Sequence, residues 1–136
     1  MSTDQNKAVV RRFITEVLAG GKVEVIDELV GPSYVNKGMG GIDRAAFKAM
    51  MPAMAAAIPG RTFEIVDLVA EGDAVVARFN SRMNLASGET VSARGLTYYR
   101  VADGKVVEDD PITTPDLMTV LGPLMNAPAG SLGSTR

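Results

Sequence analysis

The strongest constraint on the fold is a run of strand patterns that fills the second half of the chain. Apolar and polar residues alternate along four stretches, and short turns rich in Gly, Asp and Ser separate them. The predicted strands are 62–70, 74–85, 90–101 and 105–110. Turns of this length are typical of β-hairpins. The pattern therefore predicts a four-strand antiparallel meander.

Helical patterns come before these strands. Apolar residues at helical spacing predict helices over 4–19, 23–30 and 44–58, with a short strand over 33–36 and a mobile loop over 38–41 between the last two. Thr3 or Asp4 is expected to cap the first helix and Asp43 the third, and Pro52 is expected to kink or divide the third. Helices followed by strands predict an α+β fold, with the helices on one face of a curved sheet that wraps around a cavity.

The end of the chain differs in composition from the rest. Thr114-Pro115-Asp116 has the pattern of a helix start, and a short helix is expected over 117–121, ended by Gly122-Pro123. Residues 126–136 are rich in Gly, Ser, Ala and Pro, which predicts a disordered tail. With no repeat and no linker, residues 1–125 are expected to form one domain.

Composition narrows the chemistry. The 136 residues include no His and no Cys, so only Asp, Glu, Lys or Tyr side chains with shifted pKa values could exchange protons near neutral pH. A zinc site would need carboxylates alone, and we expect no metal and no cofactor. The 14 basic and 16 acidic residues are interspersed, which argues against nucleic-acid binding. The sequence has no secretory pattern at its start and no apolar run of membrane-spanning length, and we expect a soluble, cytoplasmic protein.

An acidic cluster, Glu108-Asp109-Asp110, follows the last predicted strand. Strand alternation puts Val107 and Asp109 on one face and the other two acids on the opposite face. The apolar face of the preceding strand carries Thr97 and Tyr99, so Asp109 is the first candidate for an acid inside the cavity. Burial beside apolar walls would raise the pKa of its carboxyl group towards the range useful for proton transfer. The alternative is that Asp109 and Asp110 form a solvated strand end.

Four segments give the chain a family resemblance. They are Asn6 to Phe13 (NKAVVRRF), Glu28 to Asn36 (ELVGPSYVN), Val69 to Arg78 (VAEGDAVVAR) and Arg94 to Glu108 (RGLTYYRVADGKVVE). In these segments the chain resembles the SnoaL-like polyketide cyclases of the nuclear-transport-factor-two-like superfamily. The resemblance implies a cone-shaped α+β fold with a deep apolar pocket, a homodimer and cofactor-free acid/base catalysis.

The chain departs from the family pattern at the positions that carry the chemistry. Lys37 and Thr97 stand where the family often has His or Asp, and Glu108-Asp109-Asp110-Pro111 stands where it commonly has Glu-His-x-Asp. In direct register Pro111 takes the position of the catalytic Asp, whereas a shift of one residue puts Asp110 there. The candidates for catalysis are therefore Asp109, Asp110 and Lys37.

Further residues are candidates for substrate binding: Tyr34, Asn36, Met54, Phe79, Met83, Thr97 and Tyr99. Asn36 could donate a hydrogen bond to a substrate carbonyl or enolate oxygen, or hold the turn before Gly38. Lys37 could act as a base or pair with Asp109, or it could be a surface lysine. Core packing is the alternative role for Tyr34 and Tyr99.

Two functional hypotheses follow. The first is a cofactor-independent acid/base enzyme, a lyase or isomerase, that cyclises, isomerises or dehydrates a small apolar polyketide-like or terpenoid-like substrate. The second is a small-molecule-binding protein that keeps the pocket without the chemistry. The polar stripe Arg78-Asn80-Arg82-Asn84 is expected to face solvent or the partner in a homodimer, beside Thr90-Ser92-Arg94.

Overall fold

The computed structural model describes residues 2–126, which form four α-helices and a six-stranded sheet. The helices are α1 (Thr3–Arg12), α2 (Ile26–Leu29), α3 (Arg44–Ala57) and α4 (Leu117–Asn126), and the strands are β1 (Val30–Asn36), β2 (Ile42–Asp43), β3 (Gly60–Glu71), β4 (Ala74–Asn84), β5 (Thr90–Ala102) and β6 (Lys105–Thr114). A π-helical segment, Phe13–Ala19, continues α1, and single 3₁₀ turns span Val23–Val25 and Lys37–Met39. Of the predicted tail, 127–136 lies outside the described residues.

The helix starts depend on side-chain caps. Ser2, not Thr3 or Asp4, caps α1: its hydroxyl accepts the Gln5 N–H at 3.0 Å, and the Gln5 side chain accepts the Ser2 N–H at 2.8 Å. Asp43 caps α3 as predicted, accepting the Ala46 N–H at 2.9 Å. Pro52 does not divide α3, which is continuous.

Several boundaries differ from the predicted ones. The predicted helix over 23–30 is a 3₁₀ turn followed by α2, and it ends at Leu29 because Val30 already pairs with Val106 in the sheet. The predicted mobile loop contains a 3₁₀ turn, and β2 follows it. Gly122-Pro123 does not end the last helix, which runs to Asn126. Asp116 rather than Thr114 caps that helix, since its carboxylate accepts the Thr119 N–H at 3.2 Å.

The sheet has the strand order β2-β1-β6-β5-β4-β3. The antiparallel meander β3–β6 is confirmed. The structure adds β1, which pairs parallel to β6, and the short β2 beside it. β6 also extends four residues beyond the predicted end at Asp110. The predicted class, an α+β fold with a curved sheet and N-terminal helices, is confirmed.

The core lies between the N-terminal helices and the inner face of the sheet. Four aromatic rings form its centre, with neighbouring centroids 5.4–6.4 Å apart: Phe13, Tyr34, Phe47 and Tyr99. A second apolar cluster, around Met54, Ile58, Met83 and Leu121, joins α3 and α4 to β4. These two clusters leave a cavity between them. Within residues 2–126, no helix combines the length and the apolarity that crossing a membrane would need.

Candidate active site

The inner face of the sheet and the helices enclose a cavity with mainly apolar walls. Six of the seven predicted substrate-binding residues line it: Asn36, Met54, Phe79, Met83, Thr97 and Tyr99. The seventh, Tyr34, is buried behind the wall, where its hydroxyl group contacts Asn36 and Asp109. Asp109 is the only carboxylate among the lining residues that the structure describes.

Asp109 reaches the cavity through the register of β6. It lies opposite Tyr99 on β5, and the next inward pair is Thr97 with Pro111. A bulge at Val107 shifts the register between Asp109 and the start of the strand. The prediction that Val107 shares the buried face with Asp109 is therefore wrong. Val106 is the fully buried residue before the bulge, and Val107 is only half-buried.

A chain of hydrogen bonds holds the Asp109 carboxyl group. The Tyr34 hydroxyl donates to Asp109 Oδ2 at 3.1 Å and accepts from Asn36 Nδ2 at 3.1 Å. All three residues are at least 95% inaccessible to solvent, with exposures of 4%, 1% and 4% for Asp109, Tyr34 and Asn36. Tyr34 and Asn36 are two residues apart on β1, so both face inward and both reach the neighbouring strand β6.

Burial dominates the electrostatics of this group. Desolvation raises the pKa of Asp109 from 3.8 to about 7; the hydrogen bond from Tyr34 lowers this pKa, and the negative charge of Asp110 raises it. Desolvation and the nearby Asp109 carboxylate also raise the pKa of Tyr34 and of Tyr99 well above their ordinary value. Both tyrosines therefore remain protonated, and Asp109 is the group that titrates near neutral pH.

One buried polar atom of this group has no partner. Asn36 Oδ1 is inaccessible to solvent and receives no hydrogen bond from residues 2–126. A buried acceptor left in this state costs about 1–3 kcal/mol.

The other two predicted catalytic residues lie outside the cavity. The Lys37 side chain is 54% exposed, and its ammonium group pairs with Glu108 Oε2 at 2.9 Å rather than with Asp109. Arg100 contacts the other oxygen of Glu108 at 3.3 Å. The ion pair with Lys37 lowers the pKa of Glu108 and raises that of Lys37, which keeps both groups charged. Asp110 follows Asp109 on the strand, is half-exposed and lies opposite Tyr98 on the outer face. Lys37 and Asp110 therefore do not stand beside Asp109 in the cavity.

Sequence reasoning missed Arg61, which lines the same cavity. The predicted strand began at Thr62 and so left Arg61 in the preceding turn, whereas β3 begins at Gly60. Arg61 shares the inner face of β3 with Phe63 and Ile65. The alternation of these three residues was the signal that could have found it.

The sequence of this chain matches a known family model, and its fold matches solved structures. The sequence model of the SnoaL-like domain matches residues 10–109. The chain belongs to the SnoaL-like domain family. The recognition made from the sequence motifs is thereby confirmed. No curated protein matches this SnoaL-like chain with significance.

Solved structures share the fold over nearly the whole SnoaL-like chain. A proposed polyketide cyclase from Acidithiobacillus ferrooxidans is 26% identical, with a TM-score of 0.72 over 94% of this chain and 100% of that one. A proposed SnoaL-like polyketide cyclase from Jannaschia sp. CCS1 is 22% identical, with a TM-score of 0.71 over 93% and 95%. An LEH-like epoxide hydrolase from M. tuberculosis is 18% identical, with a TM-score of 0.73 over 97% and 98%. These structures share the fold of this chain, and a shared fold does not by itself determine the reaction.

Proposed function

We propose that this SnoaL-like protein is a cofactor-independent acid/base enzyme in which Asp109 transfers the proton. Its substrate is a small apolar molecule of polyketide-like or terpenoid-like character. One observation carries the proposal: a fully buried carboxyl group faces an apolar cavity, and burial raises its pKa to about 7. Such a group is present in both protonation states near neutral pH, as a general acid/base needs to be.

The hydrogen bonds support a division of roles. Tyr34 engages Oδ2 of Asp109 and so leaves Oδ1 for a substrate proton. The ionised carboxyl group removes a proton from the carbon next to a substrate carbonyl. The protonated group then returns a proton to the oxygen formed in an aldol cyclisation, to another carbon in an isomerisation, or to a departing hydroxyl group in a dehydration.

The oxygen that becomes negative on enolisation needs a hydrogen-bond donor. Asn36 Nδ2 donates one N–H to Tyr34, and its second N–H has no acceptor among residues 2–126, so Asn36 is one candidate donor. Thr97 and Tyr99 also line the cavity, on the strand paired with that of Asp109, and their hydroxyl groups are further candidate donors for this role.

The test compares Asp109→Asn with Asp110→Asn. The amide keeps the shape of the carboxyl group but cannot take up the proton, so Asp109→Asn is expected to lower turnover about 10²–10⁴-fold while ligand binding persists. Asp110→Asn is the matched control, because Asp110 is the next residue of the same strand and lies outside the cavity. Lys37→Met is a second control. Full turnover in Asp109→Asn would refute the proposal.

A second candidate function, a non-catalytic small-molecule-binding protein, also has a specific observation in its favour. Apart from Asp109 and Arg61, the described lining residues carry no charged side chain, and Lys37 and Asp110 are outside the cavity. Most acid/base enzymes place at least two titratable groups at the substrate, and here Asp109 is the one carboxyl group among the described lining residues. Tight binding of apolar ligands without turnover of any polyketide-like or terpenoid-like compound would select this function.

We also propose a homodimer formed through the outer face of the sheet. The predicted stripe Arg78-Asn80-Arg82-Asn84 faces outward, but Arg78 and Asn80 already pair with Asp67 and Glu64 on β3. Leu96, Tyr98 and Ile112 on the same outer face are exposed, Ile112 by 77%. Exposed apolar side chains beside a polar rim favour a protein contact there.

A further inference from the structure

Arg61 is the single cation among the described residues that line the cavity. It lies at the start of β3, opposite Met83 on β4, and its guanidinium group is half-buried. Its one hydrogen-bond partner within residues 2–126 is the thioether of Met54, with Nη1 and Sδ 2.8 Å apart. A thioether sulfur is a weak acceptor, and a guanidinium group has five N–H donors.

The surroundings of Arg61 differ from those of the ion-paired cations. Arg12, Lys37, Arg44, Lys48, Arg78 and Arg100 each have a carboxylate oxygen within 4 Å. Among residues 2–126, no carboxylate approaches Arg61 this closely, although burial removes part of its hydration and lowers its pKa. A desolvated cation without a counter-ion is unfavourable, and a bound anion would relieve that cost.

The sheet register separates this cation from the acid. Arg61 is level with Met83 and, across the next strand pair, with Val91, whereas Asp109 is level with Tyr99. Val91 and Tyr99 are eight residues apart on β5. The cavity therefore has a fixed positive charge towards one end, the titratable carboxyl group towards the other, and apolar side chains between them.

We propose that Arg61 binds the carboxylate group of an otherwise apolar ligand and so selects organic acids over their neutral analogues. The apolar body of the ligand would lie against Phe63, Phe79 and Met83, pointing from Arg61 towards Asp109. A guanidinium group matches a carboxylate with two parallel N–H···O bonds, which adds orientation to affinity. The inference names the substrate class for the cavity and to that extent rests on the proposed function.

Titration calorimetry with two probes of equal shape tests this inference. The wild-type protein is expected to bind 2-naphthoate about 10–100-fold more tightly than 2-naphthamide, the range for a charge-assisted hydrogen bond in a partly buried site. Arg61→Met keeps an unbranched apolar stem but removes the guanidinium group, and it should equalise the two affinities. Arg61→Lys should keep part of the preference, and Arg82→Met, an exposed arginine on the outer face of β4, should keep all of it.

Two results would overturn the proposal: the wild-type protein binds both probes equally or not at all, or Arg61→Met retains the preference for the acid. A structural role for Arg61 is the competing explanation, because its guanidinium group also packs near Gly21, where an added Cβ would lie 3.5 Å from Nη2. That role alone predicts a lower melting temperature in Arg61→Met with the acid-to-amide ratio unchanged. Since these measurements need no turnover, their failure is distinct from a failure of Asp109 catalysis, which only the turnover of Asp109→Asn would reveal.

Discussion

Replacing Asp109 by Asn should change how the stability of the protein depends on pH. The difference in unfolding free energy between the variant and the wild type should shift in favour of the variant as the pH rises. Between pH 4 and 7 the carboxyl group of the unfolded chain loses its proton, while the buried group in the folded protein retains it. The folded state then binds more protons than the unfolded state, so wild-type stability falls as pH rises through this window. An amide at position 109 does not titrate, and the variant lacks this fall.

The structure sets the size of the effect. Raising the pKa of Asp109 from 3.8 to about 7 corresponds to about 4 kcal/mol of unfolding free energy, since one pKa unit is about 1.36 kcal/mol. The unfolding free energy of Asp109→Asn minus that of the wild type should therefore be about 4 kcal/mol larger at pH 8.5 than at pH 4. The remaining acidic residues titrate in both proteins and cancel in the difference.

Urea unfolding at half-unit steps from pH 4 to 8.5 measures this difference, with Asp110→Asn as the matched control. The Asp110 charge is the smaller of the two causes that raise the Asp109 pKa, so the control should lose only a minor part of the pH dependence. A constant difference between wild type and Asp109→Asn across the range would refute the reasoning. It would mean that Asp109 titrates in the folded protein as it does in the unfolded chain.

Four other predictions concern neighbouring parts of the fold. Tyr34→Phe removes the hydrogen bond that lowers the Asp109 pKa, so the fall in stability should continue to a higher pH than in the wild type, and unfolding at pH 8.5 should cost about 1–3 kcal/mol less. An unchanged upper end of the fall in the same urea series would contradict this. Gly95→Ala should destabilise the protein by about 1–3 kcal/mol in thermal unfolding, because the added Cβ would overlap the Ile112 carbonyl oxygen and lie 2.8 Å from Thr113 Cγ2. If the variant is as stable as the wild type, β5 and β6 can separate at no cost. Removal of residues 127–136 should change the melting temperature little, because this segment carries Leu132 as its one large apolar side chain; a loss of many degrees would show that it is docked. Light scattering at micromolar concentration should give the mass of a dimer, and Ile112→Lys should shift that mass to a monomer; a monomeric wild type would remove the dimer proposal and leave the fold unaffected.

The sequence by itself predicted the fold class and part of the cavity wall. Alternation along β4 and β5 places Phe79, Met83, Thr97 and Tyr99 on one face, and the period of two makes this prediction independent of any distant contact. The same reasoning chose Asp109 over Asp110 as the first candidate. The structure places Asp109 at the cavity because the antiparallel strands run in register from Glu108 onward, opposite Arg100, and its role in catalysis stays a prediction.

Only the tertiary structure decided the contacts between distant segments. The parallel pairing of β1 with β6 brings Tyr34 and Asn36 to Asp109 across 75 and 73 positions of sequence, and no local pattern encodes that pairing. It also turns Lys37 outward to Glu108, because Lys37 follows the inward-facing Asn36 at the end of β1. The position of Arg61 in the cavity wall depends on where β3 begins. Pairing with β4 starts the strand at Gly60, so that Arg61 belongs to its inner face. Local periodicity therefore sets which side chains face inward. Which of these side chains meet is set by the pairing of strands far apart in the sequence, and that pairing depends on the packing of the whole sheet.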